Sequence, residues 1–164
     1  MNLAEAAAQA DALAEGGDER ALAKLRAEWD DELEGAARAG DFRDRALAFR
    51  AIGQFRFRTK TELLRRGLDD DSPAVRGSAL LSLERLSRDH PGVVNDVRPL
   101  LHELVARDPV EAVRRLAVIA LRNGSNRRDT LQILTALAGN DDESRDLRDA
   151  AAKVAQHLKR RTAR

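Results

Sequence analysis

Phe55-Arg56-Phe57-Arg58-Thr59-Lys60 alternates rings with cations, inside a stretch from Phe42 to Arg66 that holds all four Phe of the chain. Arg43, Arg45, Arg50, Arg65 and Arg66 lie in the same stretch, against Asp44 and Glu62 as its only acids. Cations neutralise phosphates and exposed rings stack on bases, so a nucleic-acid backbone would use such a pattern. The competing expectation is that the rings pack between helices while arginine stems cover apolar surface and their heads stay in water. His102-Glu103 offers a pair of metal ligands, but the other histidines are His90, in a turn sequence, and His157 near the end. A lone pair does not complete a coordination sphere, and no metal is expected. The chain contains no Ser/His/Asp set, phosphate-binding loop or dinucleotide-binding Gly motif, so no cofactor is expected either. Lys159-Arg160-Arg161-Thr162-Ala163-Arg164 reads as a solvated basic tail suited to the negative end of a helix dipole.

The elements that position these groups must be helices. Apolar residues make up 43% of 164 residues, but aromatics only 3% with no Tyr, so the core rests on Leu, Val and Ala and suits close helix–helix contact. With no Cys, disulfides and thiolate metal sites are excluded. The net charge of +1 conceals an asymmetry: residues 1–40 carry 10 acids and 4 bases, leaving the remainder basic. Arg outnumbers Lys 25 to 4, and guanidinium is the better bidentate partner for carboxylate and phosphate. No run approaches the ~20 apolar residues of a membrane span. The start, Met1-Asn2-Leu3-Ala4-Glu5, lacks the basic segment of a signal peptide, so a cytoplasmic location is the expectation.

Apolar spacing and capping residues divide the chain into about nine helices. Leu3, Ala6, Ala10 and Leu13 line the first, which Gly16-Gly17 ends; Leu22, Leu25, Trp29 and Leu33 form one stripe of a second, from about residue 18 to 37. Asp41 is placed to cap a third, with Phe42, Ala46, Phe49 and Ile52 turned inward. Thr59 and Glu62 read as a capping box opening a short helix through Leu63, Leu64 and Leu68. Ser72-Pro73 and Asp108-Pro109 each read as an N-cap followed by proline at the first helical position, and Pro99 is expected in a first turn. The run from Leu116 to Leu121 is apolar nearly all round and is expected to sit centrally. Asn126 and Asp129 restart the chain for Leu131, Leu134 and Leu137, and a last helix near residues 143–160 turns Leu147, Ala151, Ala155 and Leu158 inward.

Val75-Arg76-Gly77-Ser78-Ala79 returns as Val113-Arg114-Arg115-Leu116-Ala117 and as Leu147-Arg148-Asp149-Ala150-Ala151, each after an acidic stretch that includes a capping residue. Such a period belongs to stacked helix pairs, none of which buries its apolar face alone. The Asp/Pro start, the Val-Arg-x-x-Ala core and the later leucines resemble HEAT repeats, closely over residues 71–107 and 108–140 and more loosely over the rest of 41–160. The resemblance implies an all-α, right-handed α-α superhelix (solenoid) of antiparallel helix pairs forming a single domain over 1–164. Residues 1–40 would cap its N-terminal end, 41–140 form the repeats, and 141–164 supply a capping helix and basic tail. It implies that Arg76, Arg114 and Arg148 pair with acids of adjacent loops: Asp70, Asp71, Asp108, Asp141 and Asp142. It also implies a non-enzymatic scaffold whose second helices line a concave surface. Arg65, Arg66, Arg98, His102, Arg107, Arg127, Arg128 and Gln132, with Arg56 and Arg58, are the candidates for a basic groove there, which would take a protein partner with an acidic segment. Two alternatives stay open. One is nucleic-acid binding through the Arg-rich face of residues 43–66. The other, in third place, is an enzyme like the DNA glycosylases found among HEAT-like proteins, matched only by Trp29 with Asp30 and Asp31; the stripe that Trp29 shares with Leu22, Leu25 and Leu33 argues for core.

Overall fold

The computed structural model describes residues 1–162; Ala163 and Arg164, the end of the expected basic tail, lie outside the described residues. Among the described residues there are nine α-helices, one 3₁₀ turn and no strand. The helices are α1 Leu3–Glu15, α2 Glu19–Ala37, α3 Phe42–Gln54, α4 Thr61–Leu68, α5 Pro73–Ser87, α6 Gly92–Arg107, α7 Glu111–Ala120, α8 Arg128–Ala138 and α9 Arg145–Thr162, with the 3₁₀ turn at Leu121–Asn123. None is long and apolar enough to cross a membrane. The chain forms two compact units, Met1–Leu86 and a second from Ser87 onward.

In the first unit local chemistry sets the helix ends. Asn2 and Glu5 exchange side-chain and backbone hydrogen bonds at 2.9 Å, a reciprocal capping box that opens α1. Gly17, at φ 78°, ends it, with Asp18 N donating to the Leu13 carbonyl at 3.0 Å and Gly17 N to that of Ala14 at 3.2 Å. Asp18 then caps α2 through Ala21 N, and Asp41 caps α3 through Arg43 N. Ala6, Ala7 and Ala10 are fully buried, and their small size lets α1 lie against both α2 and α3. The stripe of Leu22, Leu25, Trp29 and Leu33 is buried as its spacing predicts. Phe49 and Ile52 of α3 and Phe55 just after it join it, together with Leu64, Leu68, Leu80 and Leu83. A hydroxyl enters this core. The Ser82 hydroxyl of α5 accepts Gly53 N–H at 2.9 Å and donates to the carbonyls of Phe49 and Arg50, so α5 completes a turn of α3.

In the second unit α7 lies against α6, α9 and the 3₁₀ turn, and α8 against α9. Val118 and Leu121 are fully buried, but Leu116 and Ile119 are half-buried, so the run from Leu116 to Leu121 has neighbours on several sides without being enclosed. Leu147, Ala151, Ala155 and Leu158 are buried along α9 as expected.

Several local expectations give way to other forces. Phe42, the first residue of α3, is 45% exposed and lies under the Arg43 guanidinium at 5.6 Å, because a first-turn residue has helix on only one side of it. Thr59 caps nothing: α4 starts at Thr61 with Lys60 in the capping position and no side-chain bond to the helix. Asp108 accepts Val110 N–H at 2.9 Å and closes a turn ahead of α7, which starts at Glu111, two residues later than the Asp-Pro pair indicates. Pro99 is inside α6 rather than in its first turn, since the helix already begins at Gly92 to bury Val93 and Val94; the proline itself is exposed. Arg127, not Asn126, precedes α8, while Asp129 accepts the N–H of Thr130.

At Gly53 the close neighbour is backbone. A Cβ at Gly53 would stand 2.8 Å from the Ser82 Cα, whereas one at Gly35, in α2, would meet nothing within 4 Å. Gly53→Ala is expected to destabilise the protein by about 1–3 kcal/mol, since backbone must move. Gly35→Ala should instead stabilise by about 0.5–1 kcal/mol through the unfolded state and helix propensity. Urea unfolding of the two variants checks both signs; equal effects would show that the α3–α5 contact is looser than described.

Candidate partner-binding surfaces

The aromatic–basic run is a structural joint. Phe55 and Phe57 are buried, with centroids 5.5 Å apart, so neither ring is available to stack on a base. Arg56 between them adopts φ 59°, a left-handed conformation uncommon for a non-glycine residue. It stands where Gly17 stands after α1: Phe57 N donates to the Ile52 carbonyl at 3.0 Å and Arg56 N to that of Gly53 at 3.1 Å, closing α3. The Arg56 guanidinium then binds Asp11 at 2.7 Å and Glu15 at 3.1 Å on α1, and the carbonyls of Gly53 and Gln54. Lys60 lies 4.8 Å over the Phe57 ring and reaches Asp30 at 2.6 Å and Glu34 at 2.7 Å on α2. Burial alone would lower the Lys60 pKa, but these two carboxylates outweigh it and hold it above the ordinary lysine value. Those partners, 26 and 30 residues away in sequence, explain why no local capping box forms. Of the three residues of the glycosylase-like match, Asp30 is thus part of a joint, Trp29 part of the core, and Asp31 exposed.

The repeat arginines form a ladder of a different kind from the one expected. Arg76 donates to the carbonyls of Asp70 and Asp71 rather than only to carboxylates. Arg45 does the same to Ala39 and Gly40, the same sequence distances back, and also grips the Asp70 carboxylate at 3.0 and 3.1 Å. Arg114 binds the Val105 carbonyl and, bidentately, Glu143 at 2.7 and 2.8 Å in place of Asp141 or Asp142. Arg148 does meet Asp141, at 3.5 Å. Hydrogen bonds from these arginines hold Asp70 and Glu143 below the usual carboxylate range, against the desolvation that ranks first for Asp70. Arg45 escaped the sequence reading although it precedes Arg76 by nearly one repeat; that spacing was the signal.

The candidate groove residues separate into two sets. Arg98 is buried, at 2% exposure, and spent internally: its guanidinium donates to Thr130 Oγ1 at 2.7 Å, to the Ser125 carbonyl at 3.1 Å and to Asn95 Oδ1. His102 is half-buried with Nε2 at 2.9 Å from the same Thr130 hydroxyl. Arg56 is committed to α1, as above. Arg107 and Arg127 are exposed and paired with Glu103 at 3.4 Å and Asp129 at 3.5 Å. Arg65 is exposed and 3.6 Å from Glu62. Arg58, Arg66, Arg128 and Gln132 are exposed, and among the described residues the three arginines have no ion-pair partner. Arg128 and Gln132 line a shallow groove of about 640 Å³ on α8 with Asn126, Leu131, Thr135 and Ala136. In the first unit Arg66 borders a cleft of about 500 Å³ with Arg38 and Arg45 facing Asp69, Asp70 and Asp71, a charge-balanced site. Among the described residues no three His, Asp or Glu gather as a metal site would require.

The Arg98 network suits a neutral His102. Thr130 Oγ1 accepts from Arg98, so its own hydrogen is free to donate to a neutral Nε2. Desolvation first, opposed by Asp129 and reinforced by Arg98 and Arg127, holds the His102 pKa below the ordinary imidazole value. A histidine depressed in the folded state leaves stability complete at neutral pH; stability falls as pH drops through about 6.5, where the unfolded chain takes up its proton first. The urea midpoint is therefore expected to fall between pH 7.5 and 5.0, and His102→Gln should flatten part of that slope. His157, whose pKa is also depressed, contributes to the rest. An unchanged slope in the variant would show that His102 is protonated without cost.

A family model for HEAT repeats matches residues 30–122, from within α2 through α7 and the 3₁₀ turn. A search of curated proteins finds no match to the chain. With more than half of its length inside that match, and with helices throughout the described residues, the chain belongs to the HEAT-repeat family.

Proposed function

We propose that the protein is a non-enzymatic scaffold that binds an acidic segment of a protein partner on the outward faces of its second helices, α8 in one unit and α4 in the other. HEAT repeats commonly serve as interaction scaffolds, which supports the class of function. The observation that carries the reading is the α8 groove, where Leu131 and Ala136 offer an apolar floor beside Arg128, an exposed cation with no ion-pair partner among the described residues. A partner carboxylate on Arg128 would make a charge-assisted hydrogen bond, with apolar neighbours covering the floor. Arg66 and Arg58 present the same unfilled capacity in the first unit. In this reading residues 1–40 cap the array, successive pairs wind as a right-handed superhelix, and the protein works in the cytoplasm. The nucleic-acid alternative loses Phe49, Phe55 and Phe57 to the core and keeps the exposed Phe42 ring and the electrostatics of the exposed arginines Arg43, Arg50, Arg58, Arg65 and Arg66.

Fluorescence anisotropy separates the two. A labelled peptide alternating Glu and Leu, and a labelled DNA duplex, are titrated with the protein at ~50 and ~200 mM salt. The peptide is expected to bind, to lose less than about tenfold on raising the salt, and to lose at least tenfold with Arg128→Glu. DNA binding that falls steeply with salt and vanishes in an Arg58/Arg65/Arg66→Ala variant, with no binding of the peptide, would replace the scaffold reading with the nucleic-acid one.

A further inference from the structure

The exposed stripe of α9 carries charge in an ordered way. Asp146 and Asp149 come first, then Lys153, His157 and Arg160, each three or four residues after the last and therefore on one side of the helix. Across from them stand Arg115 of α7 and Arg122 of the 3₁₀ turn, and the two sides enclose a cleft of about 540 Å³. Ile119, Ala150 and Val154 supply its apolar wall. One end is thus acidic and the other strongly basic.

The basic end is held in place. Arg161 donates to the carbonyls of Gly124 at 2.8 Å and Arg122 at 3.2 Å, tying the 3₁₀ turn to the last turn of α9. Among the described residues Arg115, Lys153 and Arg160 have no ion-pair partner, whereas at the acidic end Asp149 has Arg145 3.9 Å away. His157 registers the local potential: desolvation and then the cations Arg161, Arg122 and Arg160 hold its pKa below the ordinary value. Arg115, Lys153 and Arg160, without ion-pair partners among the described residues, call for an anion with several acceptor oxygens.

The polarity of the cleft selects among anions. Asp149 and Arg160 are eleven residues apart on the helix, about 16 Å, the reach of roughly five extended peptide residues. A nucleic acid long enough to fill the cleft would lay further phosphates against Asp146 and Asp149. A peptide can carry opposite charges at its two ends. We propose that this cleft binds an extended peptide bearing a phosphorylated residue, with the phosphate on Arg160, His157 and Arg122 and a basic residue about five positions away on Asp146 and Asp149. The site is separate from the α8 groove and does not depend on the scaffold reading of that surface, so either can fail alone.

The test uses a seven-residue peptide with Lys at position one, phosphoserine at position six, and Ala or Leu elsewhere. Its unphosphorylated form, inorganic phosphate and single-stranded DNA are the comparators. Binding is followed by NMR shifts in α7 and α9 and by titration of the His157 imidazole, with the His102 resonance as a check that each variant is folded. The phosphopeptide is expected to saturate, to raise the His157 pKa, and to bind at least tenfold more tightly than its unphosphorylated form. Arg160→Ala should weaken it at least tenfold, and Asp149→Lys should weaken the phosphopeptide while strengthening DNA. Absence of saturable shifts, or affinity untouched by Arg160→Ala, overturns the site. Inorganic phosphate or DNA binding as tightly as the phosphopeptide also overturns it, leaving a general anion patch or a nucleic-acid face instead.

Discussion

The first unit depends on cations reaching back to the acidic helices that precede them. Residues 1–40 are rich in acids, and the charges that answer several of them are Arg56 on Asp11 and Glu15, Arg85 on Glu15, and Lys60 on Asp30 and Glu34. Each link joins different helices, and the arginine and lysine ends are largely withdrawn from solvent. Exposed ion pairs contribute little to stability, but multiply bonded, partly buried cations fix geometry as well as charge. Arg56 adds a backbone role, since its left-handed conformation turns the chain out of α3 while its side chain binds α1. A charge asymmetry that looks like a polar molecule in the sequence is therefore in good part internal complementarity.

The arginines fall into two populations that composition cannot separate. Arg45 and Arg76 donate to carbonyl oxygens of preceding loops and Arg114 to the Val105 carbonyl in the last turn of α6, and Arg45 and Arg114 also clasp carboxylates beyond. A guanidinium has five donors in a fixed fork, so it can serve a loop backbone and an acid together, which lysine cannot do in the same geometry. This accounts for some of the strong preference for arginine without invoking a ligand. A second group, which includes Arg66 on α4, Arg128 on α8 and Arg160 on α9, lies on open surface, and recognition is to be sought there.

What was legible in the sequence is what depends on neighbours close along the chain. The Leu22-Leu25-Trp29-Leu33 stripe and the cap at Asp41 rest on helical period and on a hydrogen bond two residues long. Arg98 was misplaced for the opposite reason. It falls between apolar positions like any snorkelling surface cation, and what buries it are Ser125 and Thr130, 27 and 32 residues later. Lys60 escaped a capping pattern in the same way. Within the candidate surface, Arg66, Arg128 and Gln132, expected there from the HEAT-repeat resemblance, are exposed, whereas the acidic-to-basic order along α9 becomes a cleft only when α7 supplies the facing wall.

The hydroxyl of Ser82 has a bearing on how the first unit opens and closes. Helical repeat arrays are often described as chains of units that fray from their ends and fold semi-independently, coupled only through their interfaces. Here the amide of Gly53 and the carbonyl of Phe49, groups belonging to one turn of α3, are served by a side chain of α5. Detaching α5 would strip polar partners from the interior of another helix as well as exposing apolar surface. The two helices are thereby bound into one cooperative element, in which hydrogen exchange at Gly53 reports the departure of α5 rather than the local fraying of α3.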